Sequence, residues 1–266
     1  MISIIIPSRN EPCLTKTVND ILLKARGDIE ILIMLDGYWD NPSNDKRVTI
    51  VHRGEPRGMR ANINSGVALA KGDYILKCDA HCMFDDGFDV KLMETIEGNW
   101  IVVPRRKRLD AENWCLIEDN RPDIDYMYLT PEFHGVNWNE KNYSPELQGV
   151  MIDDLMTSQG SCWFMKRDYF YELELLDDKN YGSFWNEFQE IGLKCWLSGG
   201  RVVVNKNTWY AHLHKQSRGY SLQEKPNEYV LNWLEFGKAW DKQTLPLEWL
   251  INKFGSCYGW EWSPDS

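Results

Sequence analysis

The segment YILKCDAHCMF, Tyr74 to Phe84, ends an apolar run and then sets four metal-capable side chains within five residues: Cys78, Asp79, His81 and Cys82. A structural zinc site needs a second Cys/His pair, and no CxxC or HxxxH of suitable spacing follows. Cys78 and Cys82 are also too far apart for a C-x-x-C redox pair. In an extended strand Cys78 and Asp79 point to opposite faces, which leaves the thiol in the core, where free Cys is common. Asp79 and His81 fall on one side by the same alternation. A carboxylate beside an imidazole suits Mn2+ or a similar divalent ion. Such an ion can bridge two phosphates and offset charge on a leaving diphosphate. A buried Asp–His hydrogen bond is the competing explanation for this pair.

The elements that must position these residues alternate strand and helix. ISIIIP, IEILIML, VTIVHR, GDYILKCD and WIVVP read as strands, three of them continuously apolar and β-branched. LTKTVNDILLKA, GMRANINSGVALA and GFDVKLMETI carry helical spacing between them. This rhythm predicts a mainly parallel sheet with right-handed crossovers. Ligands of such sheets collect beyond the carboxyl ends of the strands. Arg9-Asn10-Glu11, Asp36 and Asp79-His81 all stand at such ends. Residues 104–157, rich in Asp, Asn, Pro and Trp, read as a long irregular region. FWNEFQEIGLKCWLSGG predicts an amphipathic helix stopped by Gly199-Gly200, with RVVVN a final strand. NEYVLNWLEFGKAW predicts one more helix before a Trp-rich tail.

Bulk properties narrow the classes. A net charge of −10 argues against a whole-surface nucleic-acid binder. PRRKR, Pro104 to Arg108, is the one dense basic run, read either as a solvated loop or as a phosphate contact. Seven Cys without a disulfide-like rhythm point to free thiols and an intracellular setting. No signal peptide and no apolar run of membrane-spanning length is evident. The expectation is a cytoplasmic protein (host cytoplasm, if viral).

Several segments together resemble the nucleotide-sugar glycosyltransferases of the GT-A fold, above all the polypeptide N-acetylgalactosaminyltransferases. SIIIPSRNEP resembles their opening strand and Asn-Glu loop, and LIMLDGYWD the second strand with its terminal Asp. RGMRANINSG is similar to a helix start where an Arg approaches the donor, and KCDAHC stands where the family has Asp-Ser-His. TSQGSCWFMKRDYF resembles the Gly-Gly strand, and FWNEFQEIGLKCWLSGG the Trp-Gly-Gly-Glu helix ending in Gly-Gly. A His follows at the family's spacing, here His212. The resemblance spans roughly residues 2 to 240. It departs at FWNE, where two glycines are missing, and at Ser161, which replaces the second Gly. The expectation is a protein without the family's membrane anchor and lectin domain.

The resemblance implies a GT-A (Rossmann-like) α/β fold with a mixed, mainly parallel sheet flanked by helices. One domain would cover residues 1–240, with 241–266 an extension packed on it. It implies Mn2+ or another divalent cation held by Asp79, His81 and His212. A UDP-sugar donor would contact Pro7, Arg9, Glu11, Asp36, Arg60, Asp79, Gly160, Ser161 and Lys215, with Asp36 on uridine. Glu187 and Arg218 would be catalytic. Lys215 and Arg218 would close over the diphosphate. Structural explanations compete: a helix-surface cation for Arg60, a solvated loop for Lys215 and Arg218, a helix N-terminal carboxylate for Glu187. The expected activity is metal-dependent, retaining transfer of GalNAc, GlcNAc or hexose to an acceptor hydroxyl. That hydroxyl could belong to a hydroxymethylated pyrimidine in phage-type DNA, a protein Ser/Thr, or a glycan or lipid precursor. A non-catalytic sugar-nucleotide binding module is the alternative. A nucleotidyltransferase would need a Gly-rich loop after the first strand, and PSRNEP is not one.

Overall fold

The computed structural model describes residues 1–181, 186–215 and 240–255. Twelve strands are defined, of which ten join one sheet. Its main path runs β10(Ile152–Asp154), β12(Arg201–His212), β6(Trp100–Asp110), β11(Cys162–Lys166), β4(Tyr74–Cys78), β1(Ile2–Ser8), β2(Ile29–Asp36), β3(Val48–Arg53). β11 is antiparallel to both its neighbours and β10 to β12, while the other six strands run the same way. The sheet is therefore mixed and mainly parallel. Short strands β5(Cys82–Phe84) and β7(Cys115–Leu116) pair with β12 and β6.

The continuously apolar strands are buried because helices cover both faces. All eight residues of β2 are buried. On one face Ile4, Ile6, Ile31 and Ile33 share a cluster with Leu14, Val18 and Ile21 of α1(Leu14–Lys24) and Phe88 and Leu92 of α3(Phe88–Met93). On the other, Ile5, Leu32 and Met34 meet Ile63 and Val67 of α2(Met59–Leu69). Gly66 lets α2 approach: a Cβ there would lie 2.6 Å from Ile5. The same cluster takes in α7(Glu187–Leu197) and continues to Leu247, Leu250 and Ile251 of α8(Leu247–Phe254). The Thr244 and Leu245 amides donate to the Leu197 carbonyl at 2.8 and 2.9 Å. The expected helix across 227–240 and the Trp-rich tail lie outside the described residues, apart from Trp240.

Two expectations need correction. The strand WIVVP does not stop at Pro104: β6 continues to Asp110, so the basic run is strand and not loop. Charge pairing permits this. Arg105 binds Asp125 and Lys107 binds Asp123 on the neighbouring segment. RVVVN and TWYAH form one strand, β12, with a register shift between Asn205 and Trp209. The remainder of the irregular region contains the hairpin β8(Met127–Leu129)–β9(Gly135–Asn137) and two one-turn helices, α4(Asn139–Asn142) and α5(Pro145–Gln148). α6(Arg167–Glu172) follows β11 directly.

Candidate metal centre

β4 ends at Cys78 and the chain turns at once, so Asp79 and His81 meet through a tight turn and not through strand alternation. β5 follows and pairs antiparallel with the end of β12, placing His212 opposite Cys82. The Leu213 amide donates to the His81 carbonyl at 3.2 Å. That pairing closes a separation of more than 130 residues, and the ligand atoms of Asp79, His81 and His212 lie within 4.8 Å of one another. Asp79 Oδ2 is 3.2 Å from His212 Nε2 and 3.8 Å from His81 Nε2. The two imidazoles face each other at 4.7 Å. One carboxylate and two imidazoles converging on one point fit a borderline divalent ion. His81 Nδ1 is buried, meets no hydrogen-bond criterion among the described residues and lies 3.3 Å from Glu11 Oε2, so a carboxylate stands behind the ring.

The other oxygen of Asp79 is capped by Lys77, at 2.7 Å. Lys77 is fully buried and also donates to the Gly160 carbonyl at 2.8 Å and to Glu187 Oε2 at 3.1 Å. Trp163 Nε1 donates to the remaining Glu187 oxygen at 2.7 Å. Burial would strip the Lys77 proton, but Asp79 and Glu187 outweigh it and hold the ammonium well above the usual lysine range. Burial opposes ionisation of Asp79 as well; Lys77 and the His212 hydrogen bond reverse that and keep it a carboxylate. Burial raises the Glu187 carboxyl, Lys77 pulls it back, and neighbouring Asp79 raises it further. Burial lowers His212 to about 4, against a smaller upward pull from Asp79, so its ring is neutral and available as a ligand near pH 7.

Gly160 permits this packing. Its φ is +84°, and a Cβ would sit 3.1 Å from the Glu187 carboxylate. The Ser161 hydroxyl is buried against the Tyr210 hydroxyl at 2.7 Å, and its carbonyl takes the Asp79 amide at 2.9 Å. Both residues thus line the centre, with Ser161 serving the strand beneath it.

The remaining expected site residues divide. Pro7 and exposed Arg9 stand at the end of β1, and Glu11 just beyond it. Lys215 binds both oxygens of Glu11, joining the segment after β12 to the loop after β1. Asp36 is buried at the end of β2, its two oxygens accepting the Arg57 and Gly58 amides at 2.8 and 3.0 Å. It shapes the entry to α2 and does not stand open in the crevice. Arg60 corrects the surface reading: it is no helix-surface cation but is fully buried, paired with Glu190 and 4.9 Å from the centroid of the Tyr181 ring. Glu187 lies behind Asp79, joined to it through Lys77, and is only 7% exposed. Arg218 lies outside the described residues.

Two contributors escaped the sequence. Lys77 looked like one polar interruption of an apolar strand; a lysine two residues before a ligand was the available signal. Asn62 is 1% exposed, with both amide atoms lacking a partner among the described residues. It lies one turn before Gly66 on the face of α2 that meets β1 and β2. The thiols are bystanders: burial holds Cys78, Cys82 and Cys162 far above the ordinary thiol range, and no disulfide forms among the described residues.

A mainly parallel sheet with an Asp-His-His cluster at its strand ends defines a GT-A glycosyltransferase domain. A family model for Glycosyl transferase family 2 matches residues 3–174, and the chain belongs to that family. It is similar to the putative polypeptide N-acetylgalactosaminyltransferase 13 of Drosophila melanogaster, 23% identical over 65% of this chain and 31% of the relative. Polypeptide N-acetylgalactosaminyltransferase 18 of Homo sapiens is 24% identical over 72% of this chain and 32% of its own length. The chain thus spans about a third of these relatives. The fold matches a crystal structure of GalNAc-T7 with UDP, GalNAc and Mn2+ at a TM-score of 0.72 and 17% identity, over 88% of this chain and 48% of that one.

Proposed function

We propose that this chain transfers a sugar from a UDP-sugar to an acceptor hydroxyl in a metal-dependent reaction. The observation that carries the reading is the convergence of Asp79, His81 and His212 at the carboxyl ends of the sheet. Mn2+ is the preferred ion, on the chemistry of the donors and on its presence with UDP in the similar GalNAc-T7 structure. A cation held there supplies charge neutralisation to a leaving diphosphate. Lys77 keeps Asp79 ionised and aimed, with Oδ2 facing the two imidazoles. Arg9 and the loop after β2 stand at the strand ends where the nucleotide would lie. Retention of configuration follows from likeness to the family and needs no protein nucleophile, because the leaving phosphate can take the acceptor proton. Residues 1–240 would form the transferase domain with 241–266 an extension packed on it, a reading supported by the core that α8 shares with α7.

Arg105, Lys107 and Arg108 all face Asp residues, so most of the basic run that suggested a DNA acceptor is already neutralised. Among the described residues no helix is long and apolar enough to cross a membrane. The test is a UDP-sugar panel with Mn2+, reading UDP release with peptide, glycan and hydroxymethyl-DNA acceptors. Turnover that needs Mn2+ and vanishes in Asp79→Ala supports the reading. Nucleotide binding without turnover of any donor makes the chain a binding module instead.

A further inference from the structure

The four cations of β6 are not alike. Arg105 is bidentate on Asp125, Lys107 is 2.9 Å from Asp123, and Arg108 is 4.0 Å from Asp119. Arg106 has no carboxylate within ion-pair reach among the described residues, although it is the most buried of the four, at 7% exposed. Its guanidinium donates to the side-chain oxygens of Gln159 and, at 3.1 Å, of Asn137. Burial lowers its pKa, Arg108 adds to that, and the nearby Tyr210 phenol opposes it only in part. A buried charge met only by neutral dipoles is costly. Lys206 shows the contrast. It is equally buried, but its ammonium is 2.8 Å from the Tyr126 hydroxyl, which in turn donates to Asp153 at 2.6 Å. Its charge is answered through one relay, and that of Arg106 is not.

The location gives this imbalance a use. Arg106 is in register with Tyr210, and Arg108 with His212, on parallel strands. Arg106 therefore flanks the metal centre from the β6–β12 side, away from β1 and β2, where the nucleotide would lie. The residues that cover it, Asn137 and Gln159, are exposed side chains free to swing out. A guanidinium offers paired donors that match a carboxylate or phosphate, and charge-assisted bonds outcompete amide ones.

We infer that Arg106 is the base of an anion subsite on the acceptor flank, taking a carboxylate or phosphate group carried by the acceptor. This rests on the transferase reading for the word acceptor, but the anion site is tested without it. Inorganic phosphate and glucuronate are titrated separately into arginine-labelled protein, with nitrogen-detected NMR of the guanidinium groups, in the absence and presence of UDP and Mg2+. One arginine signal should shift saturably, with UDP bound as well as without it, and the stronger arm identifies phosphate or carboxylate. Arg106→Met should weaken that binding on the order of 10- to 100-fold, as expected for loss of a hydrogen bond to a charged group. No saturable shift with either anion, an unchanged shift in Arg106→Met, or its loss when UDP binds overturns the proposal. Should Arg106→Met fail to fold, Gln159→Ala decides: removing the cover should tighten binding, and unchanged affinity overturns the site. UDP release from the UDP-sugar and acceptor panel is read on the same preparation of the unmodified protein. Its absence defeats the transferase reading while leaving the anion result to stand or fall alone.

Discussion

Glu187 and Glu190 sit one turn apart at the start of α7, and each anchors a buried charge cluster of opposite character. Glu190 faces two cations, Arg60 and Lys194, and also takes the Asp177 amide at 3.0 Å. All three charged side chains are sealed, at 3% exposed or less. Glu187 shares the single cation Lys77 with a second carboxylate, Asp79, which remains 25% exposed. One cluster is closed and rich in positive charge. The other is open and short of it, with two imidazoles at its mouth. The first is architecture; the second is built to receive a cation. A charge deficit that opens to solvent, and not the mere presence of buried ion pairs, distinguishes the functional cluster.

The largest difference should appear on cutting the open cluster. Asp79→Ala or His212→Ala should weaken Mn2+ binding by more than about 100-fold, since losing even an outer partner of a ligand costs 10- to 100-fold. Manganese EPR titration measures this without any substrate. Folding should survive, because the metal-free state already holds the cluster together. Full Mn2+ affinity in either variant would break the comparison at its centre.

Next come the two anchors. Glu190→Gln strands Arg60 in the core, and Lys77→Met leaves two carboxylates facing each other. Each should cost about 3–5 kcal/mol in denaturant unfolding, the usual penalty for breaking a buried pair from one side. Their effects on metal should diverge. Glu190→Gln leaves Mn2+ affinity alone, whereas Lys77→Met frees Asp79 Oδ1 and changes it. The double variant Lys77→Met/Glu187→Gln should recover part of the stability by removing the excess charge. Equal Mn2+ affinity in all three would merge the clusters into one structural network.

How far the sequence could carry this distinction depends on where the information lay. The strands and the first two helices were readable because each buries an apolar face of clear period, and Asp79 and His81 stood where a strand runs out. His212 needed the family pattern, since only the β5–β12 pairing shows why it returns. The length of β6 was not readable: a run of four cations has no apolar period, and its extension depends on Asp119, Asp123 and Asp125 in a separate segment. The burial of Arg60 was hidden for the same reason. Nothing local signals that its partner lies 130 residues away on α7.

A smaller effect separates the clusters by pH. His212 is held at about 4 when folded, against an ordinary 6.5, mainly by burial. The unfolded chain therefore binds a proton more readily than the native state between those values. Metal-free stability should be full above pH 6.5 and fall as the pH drops toward 4, by at most about 3 kcal/mol. His212→Asn should flatten that slope in urea titrations. An unchanged slope would mean that the ring is not desolvated as the geometry requires.

The smallest expected effect is the finest probe of how the open cluster is held. Gly160 and Gly199 share a φ of +84°, but a Cβ at Gly199 would meet nothing within 4 Å. At Gly160 it would press on the Glu187 carboxylate, and the Gly160 carbonyl also takes a Lys77 proton. Both Ala variants carry the left-handed backbone strain, roughly 1–2 kcal/mol. Gly199→Ala should show that loss alone, with Mn2+ affinity unchanged. Gly160→Ala should lose more stability and also shift Mn2+ affinity, because displacing Glu187 moves Lys77, and Lys77 aims Asp79. If the two glycines prove equivalent in both measurements, Glu187 does not act on the metal centre through Lys77, and the link between α7 and the ligand set is broken.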